Sequence, residues 1–356
     1  MSILSGVSEL FGLDIGTTGL RVVQLRGSGA TKSLYVYNQS DLDLRTALSD
    51  AAEDQNRLGA AIKEFIGQSG VTTNNVAVGL PTSKVFTTVV DMQRLGQEEM
   101  AGTIKYQADS IIPTPIEQSK IDWAIIGDSP KDSSKVEVIL SSVSNAFVEK
   151  RLDLLEGIGL NVVAFEPDAM ALARALIPSS VQTSQMVIDM GHSSTDLIIC
   201  MKDSPRLVRS IPIGSNSLVR GVSTHLAIDE NQATQFLFKF GLSQDKLDGK
   251  IYHATIDIVD GLVSEAEKSN KFFKERYSTA VEKVIISGAA AIIPEFPVYL
   301  ANKLGISVEI GNAWTNVNFP SNQQNELMAL ANRFGVAAGL AERQTWLNLI
   351  LYLMSK

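Results

Sequence analysis

At about 150 residues per domain, a chain of 356 residues holds two or three domains. Its 45% hydrophobic and 20% charged residues suit soluble lobes with sizeable cores, and its net charge of −8 excludes a nucleic-acid binder, which needs a basic surface to neutralise phosphates. The single cysteine, Cys200, excludes an internal disulfide, and the three histidines, His192, His225 and His253, lie too far apart and lack the cysteine partners for a zinc site.

Ile3, Leu4, Val7, Leu10 and Phe11 recur at helical spacing and predict a short amphipathic helix docked on the core. That opening lacks a basic start and a small-residue cleavage site, so no signal peptide is expected. Residues 13–25 and 34–38 predict a meander of strands joined by glycine-containing turns. Between 50 and 69, Leu58, Ala61, Ile62, Phe65 and Ile66 mark one helical face, ended by Gly67 and Gly70. Residues 75–80 read as a buried strand stopped at Pro81. Strands at 84–91, 121–126 and 135–143 and helices at 97–110 and 145–158 make residues 84–160 a small α+β unit of their own. A strand at 162–165, a helix at 168–175 and a polar break at 181–185 follow.

The first pattern then begins again. Residues 186–201 predict strand, turn and strand, with a third strand at 207–213. Residues 216–279 are mostly helical, and 283–286 form a buried strand feeding a turn and a helix at 292–304. A strand at 308–310 and one helix over 324–343 lead to an apolar tail, 345–356. The longest apolar run, 347–354, falls short of the roughly 18 residues a spanning helix needs, so a cytoplasmic protein is expected.

The restart carries a motif. Leu13-Asp14-Ile15-Gly16-Thr17-Thr18-Gly19 is echoed by Ile188-Asp189-Met190-Gly191-His192-Ser193-Ser194. Each copy is an apolar strand ending in Asp-x-Gly, a turn of small polar residues, and a second apolar strand. Glycine lets backbone approach a phosphate closely, turn N–H groups and hydroxyls supply donors, and a strand-end carboxylate suits Mg²⁺. A third element, Val284-Ile285-Ile286-Ser287-Gly288-Ala289-Ala290, is a strand running into a tight turn on which a flat ring can lie. One glycine-rich hairpin is usually only a turn; two matching copies followed by the Gly-Ala turn point to nucleotide.

Together these three elements resemble the phosphate and adenosine motifs of the actin, Hsp70 and sugar-kinase superfamily. The middle of the chain narrows the match. Val76-Ala77-Val78-Gly79-Leu80-Pro81, the run from Tyr106 to Glu117 with Ile112-Pro113-Thr114-Pro115-Ile116, and Ile121-Asp122-Trp123 resemble the PilM family of actin-like type IV pilus assembly proteins. Glu156-Gly157-Ile158-Gly159-Leu160 is similar to that family's link between lobes, and Phe334-Gly335-Val336-Ala337-Ala338-Gly339-Leu340 to its closing helix.

The resemblance implies an α/β, two-lobed actin-like ATPase fold with a small α+β subdomain inserted in the first lobe. Residues 1–83 would form the first lobe core, with 161–183 and about 324–344 returning to it, and 84–160 the inserted interaction unit. The second lobe core would be 184–215 and 280–323, with 216–279 its helical part. ATP and Mg are the implied cofactors. Asp14 and Asp189 would hold the metal; Gly16, Thr17, Thr18, Gly191, His192, Ser193 and Gly214 would surround the phosphates; Gly288 and Ala289 would back the adenosine. Glu166 and Asp168 are the acids nearest the place of a water-activating group, although they equally suit a strand end and a helix cap. The family's usual Glu and Lys on a second-lobe helix are here Thr234 and Leu237, and Gly288 stands where a glycine pair is common. Those departures bear on nucleotide specificity, and the missing obvious base leaves at most slow hydrolysis expected.

The implied partner is the N-terminal cytoplasmic peptide of a PilN-like inner-membrane protein, docked near Leu80, Val85 and Tyr106. Pilus motor ATPases and further copies of the chain are additional implied partners, and the implied place is the cytoplasmic face of the inner membrane. An FtsA-like division adaptor tethered by its tail, and a small-molecule kinase of the same superfamily, are the alternatives. The tail lacks the basic face of such tethers.

Overall fold

Residues 9–27, 32–49 and 51–343 are described by the computed structural model. The helix expected at the start and the apolar tail lie outside the described residues, and Phe11 opens a strand instead. The chain divides into two compact units, the first comprising 1–172, 316–320 and 336–356, the second 173–315 and 321–335.

In the first unit, Phe11–Ile15 (β1) and Gly19–Arg26 (β2) form the predicted hairpin, and Lys32–Asp41 (β3) extends it. Phe11, Leu13, Leu20, Val22 and Val23 are all buried, the mark of a sheet covered on both faces. After Leu44–Leu48 (α1), capped by Asp43 accepting from the Thr46 N–H, comes Ala52–Ser69 (α2). Helix α2 has Glu53 and Asp54 in its first turn and stops at Gly70, whose φ of 85° suits glycine. Asn75–Leu80 (β4) then runs parallel to β1.

Val85–Gln93 (β5), Gln97–Ile111 (α3), Ser119–Asp128 (β6), Lys135–Ser144 (β7) and Asn145–Gly157 (α4) follow. Strands β5, β7 and β6 make a separate antiparallel sheet with β7 in the middle. Met100 and Ile104 of α3 join Met92, Val136, Val138 and Leu140 in a core of their own. Val85 and Val143, at the other end of that sheet, belong instead to the core of the larger sheet, with Leu58, Ile62 and Phe65 of α2 and Val148 and Leu155 of α4. Asn161–Pro167 (β8) is parallel to β4, and Asp168–Leu176 (α5) leads into the second unit.

The second unit repeats the plan. Ser184–Met190 (β9), Thr195–Met201 (β10) and Ser204–Ile211 (β11) form an antiparallel meander. Ser215–Leu226 (α6), Glu230–Phe240 (α7) and Lys250–Tyr277 (α8) bury Leu218, Val222, Ala233, Leu237, Val259 and Leu262 against it. Lys283–Gly288 (β12) adds parallel to β9; Phe296–Leu304 (α9) then leads to Ser307–Ile310 (β13), parallel to β12. The order β11-β10-β9-β12-β13 matches β3-β2-β1-β4-β8 of the first unit, where Val317–Asn318 (β14) adds beyond β3.

Two expected helices need correction. The one placed at 292–304 begins only at Phe296, because Pro294 and Glu295, the latter at φ 61°, hold the chain out of helical geometry. The one placed at 324–343 is two helices, Gln324–Leu330 (α10) and Gly335–Glu342 (α11). They part where the main chain of Asn332 turns to Ser287 and Gly288, and where the rings of Phe334 and Trp314 pack 5.5 Å apart. Helix α10 packs within the second unit and α11 within the first. Helix α11 comes close because Gly12 and Gly339 lack a Cβ: one at Gly12 would strike Ala337 and Leu340, and one at Gly339 would strike the backbone of Ala171. Among the described residues, no helix is long and apolar enough to cross a membrane.

Candidate functional site

The first hairpin closes tightly, with the Gly16 N–H donating to the Gly19 carbonyl at 3.0 Å. Asp14 stands at the end of β1, 8% exposed and directly opposite Arg21 in the register. Their carboxylate and guanidinium pair at 3.2 Å. Burial pushes the Asp14 carboxyl above the ordinary carboxylate range, and Arg21 pulls it part of the way back. A second nitrogen of the same guanidinium, Nε, is buried with no hydrogen-bond partner among the described residues. A side chain at Gly16 would meet the Gly19 carbonyl at 3.0 Å and Arg21 at 3.4 Å, so glycine keeps this turn open. Thr17 is partly exposed and Thr18 exposed on its rim.

The second hairpin repeats the closure, with the Gly191 N–H donating to the Ser194 carbonyl at 2.9 Å. Helix α6 pins it: the Ser215 N–H donates to the Gly191 carbonyl and the Asn216 N–H to that of His192, at 2.9 and 3.0 Å. Gly214 makes this possible, since a Cβ there would strike the backbone of His192 and Ser193. Burial lowers the His192 imidazole below its ordinary value while Glu230 raises it, and Nε2 is buried with no partner among the described residues. Gly191 and Ser193 are exposed.

Across the sheet, the third turn meets this hairpin. Gly288, at φ 65°, pairs with Met190 in the β9–β12 register, and a Cβ on it would come within 3.0 Å of the Asp189 carboxylate. Asn332, 6% exposed, fastens the turn: its carbonyl accepts from the Gly288 N–H and the Ser287 hydroxyl, both at 2.9 Å, and its Nδ2 donates to the Gly288 carbonyl at 3.1 Å. Ala289 follows, its carbonyl accepting from the Ile292 and Ile293 N–H groups.

Sequence reasoning missed Arg21 and Asn332. Arg21 could have been found, because a tight hairpin puts it opposite Asp14. Asn332 could not, since a contact across 44 residues leaves no local signal.

The remaining expected residues are placed differently. Glu166, 1% exposed, forms a buried ion pair with Arg343 at 2.9 Å, so its carboxylate is committed to the fold rather than to polarising a water. Asp168 opens α5 with its carboxylate over Gly79. Leu80 and Val85, named for a partner groove, are buried in the core of the large sheet, whereas Tyr106 is 87% exposed on α3. The three do not form one surface, and Tyr106 alone of them is available to a partner. Among the described residues, no group of three or more His, Cys, Asp or Glu side chains is placed to hold a metal.

Two sheets of one strand order, each opening on an Asp-x-Gly hairpin, define the actin-like ATPase fold. Solved structures of that class share it. A PilM–PilN type IV pilus biogenesis complex aligns over 94% of this chain and 97% of its own, with a TM-score of 0.80 at 22% identity. MreB5 of Spiroplasma citri bound to AMPPNP aligns over 93% and 94%, with a TM-score of 0.53 at 12% identity. The ethanolamine utilization protein EutJ of Carboxydothermus hydrogenoformans aligns over 93% and 88%, with a TM-score of 0.55 at 13% identity. The chain itself belongs to the family of the type IV pilus assembly protein PilM, which it matches over residues 12–345.

Proposed function

We propose that this chain is a nucleotide-binding scaffold of the type IV pilus machinery that docks the N-terminal peptide of a PilN-like inner-membrane protein. Family membership supports the assignment to pilus assembly, and the solved PilM–PilN complex supports the partner. Both favour this reading over a division adaptor or a small-molecule kinase. The observation that carries the nucleotide part is the pair of buried, unpartnered nitrogens, Arg21 Nε and His192 Nε2, one beside each Asp-x-Gly turn. Buried polar nitrogens left unmatched are costly and call for a partner, which for the Arg21 Nε–H is an acceptor. Phosphate oxygens are such acceptors, and the glycines at 16, 191 and 214 keep side chains out of the way. MreB5 of the same fold is solved with AMPPNP.

In this reading Asp14 and Asp189 hold Mg²⁺, which binds through one or two carboxylates together with phosphates and water. Thr17, Thr18, His192 and Ser193 supply donors to the phosphates, and Gly288 and Ala289 back the adenosine. Glu166 is held by Arg343 and so is not available to activate water, and slow turnover is the expectation. The small sheet with α3 acts as the interaction unit, presenting Tyr106. The protein works at the cytoplasmic face of the inner membrane, held there through its partner.

Calorimetric titration of the purified chain with Mg·ATP, repeated on Asp14→Ala and accompanied by an overnight phosphate-release assay, tests this reading. Binding that disappears in the variant, with little phosphate released, supports it. Absence of binding in the unaltered chain would leave a nucleotide-free adaptor.

A further inference from the structure

The nucleoside side of the proposed site lies wholly in the second unit, and the polar groups there are already committed to the protein. The Gly288 N–H and carbonyl are both taken up by Asn332, and so is the Ser287 hydroxyl. The Ala289 carbonyl accepts two N–H groups of its own turn. The large apolar side chain that the turn leaves exposed is Ile292, at 42%. The segment that follows α7 docks beside it, with the Leu242 N–H on the Pro294 carbonyl at 2.9 Å. At the two positions of this helix where readers were expected, the Thr234 hydroxyl is given to the Glu230 carbonyl at 2.7 Å, and Leu237 is fully buried in the core. Glu295 and Arg333 are exposed and make no ion pair or side-chain hydrogen bond among the described residues.

Resting on the nucleotide-binding reading above, we infer that the site grips nucleoside triphosphates by the phosphates and holds the base by contact area alone, accepting adenine and guanine alike. A site that hydrogen-bonds its substrate rejects an analogue lacking the group by about 10⁴–10⁵-fold, because the buried partner is left unpaired; an apolar surface sorts only by size. Adenine and guanine differ at their edges and share one ring system, whereas pyrimidines offer less area.

The test is calorimetric titration of the full chain with the magnesium complexes of ATP, GTP and CTP and of inorganic tripolyphosphate. The dissociation constants of ATP and GTP are expected within about tenfold of each other, with CTP weaker than both. Ile292→Ser, on an exposed position that folding tolerates, should weaken ATP and GTP together and leave tripolyphosphate unchanged. A preference for ATP over GTP above about tenfold would overturn the inference, as would CTP binding as tightly as ATP or Ile292→Ser leaving ATP affinity untouched. If none of the four ligands binds, the nucleotide-binding reading falls first and takes this inference with it.

Discussion

Asp14 is under opposed demands. Burial disfavours its charge, Arg21 favours it, and the balance leaves its carboxyl above the ordinary value of 3.8. The folded chain therefore holds this proton more tightly than the unfolded chain. Folding is linked to proton uptake in that window, so Asp14's contribution to stability falls as the pH rises through its folded value. Asp14→Asn removes that loss while keeping an oxygen for Arg21. Thermal melts without nucleotide should show the variant at least as stable as the parent at neutral pH, the difference closing on acidification, although its binding of Mg·ATP is lost. A variant melting well below the parent at neutral pH would contradict this. Cys200 offers a simpler case: burial pushes its thiol up to about 12, so it is protonated and unreactive in the native state. Labelling by a thiol reagent at mildly alkaline pH should follow the unfolding rate; rapid labelling of native protein would show the strand to be open.

Helix α11 is fixed by features that differ in how readable they were. Its apolar, small-residue run was legible, as was the strand Asn75–Leu80, whose continuous apolar residues end at Pro81. The break between α10 and α11 was not, because it is imposed from a distance by Asn332 and by the packing of Phe334 on Trp314. Nor did the sequence betray the ion pair of Glu166 with Arg343, partners 177 residues apart. Both side chains are at most 2% exposed, so removing one strands the other: Glu166→Ala should cost about 3–5 kcal/mol in denaturant unfolding. Gly339→Ala forces a methyl group into the Ala171 backbone and should cost about 1–3 kcal/mol, through overpacking rather than lost charge. The two are separable, because Glu166→Gln should recover part of the first loss and nothing resembling it can recover the second.

At the scale of the whole chain, the repeat of strand order was visible early, since each Asp-x-Gly hairpin announces a meander and each later apolar strand adds parallel to its first strand. The glycines of the two hairpin turns were legible for the same reason. Which of the residues named for a partner groove are exposed was not: Leu80 and Val85 look available in an apolar segment but lie inside a core, while Tyr106 stands out from α3. Separation of the two proposed activities follows. Tyr106→Ala should weaken a PilN-type N-terminal peptide by more than about 1 kcal/mol, as exposed aromatic anchors do, and leave Mg·ATP affinity unchanged. Titration of one variant with both ligands checks it, and loss of both together would show that they are not independent.

Trp314 has a consequence for how this molecule can be watched. Its indole donates to the Leu327 carbonyl at 2.8 Å and is 2% exposed, on the same loop framework that carries Asn332. A buried indole emits toward the blue and shifts to the red when water reaches it. The other tryptophans are Trp123, partly exposed in the small sheet, and Trp346 in the tail. Replacing those two by phenylalanine leaves a single emitter rooted in the second unit. Its colour would report, in real time and without a label, when that unit opens to water.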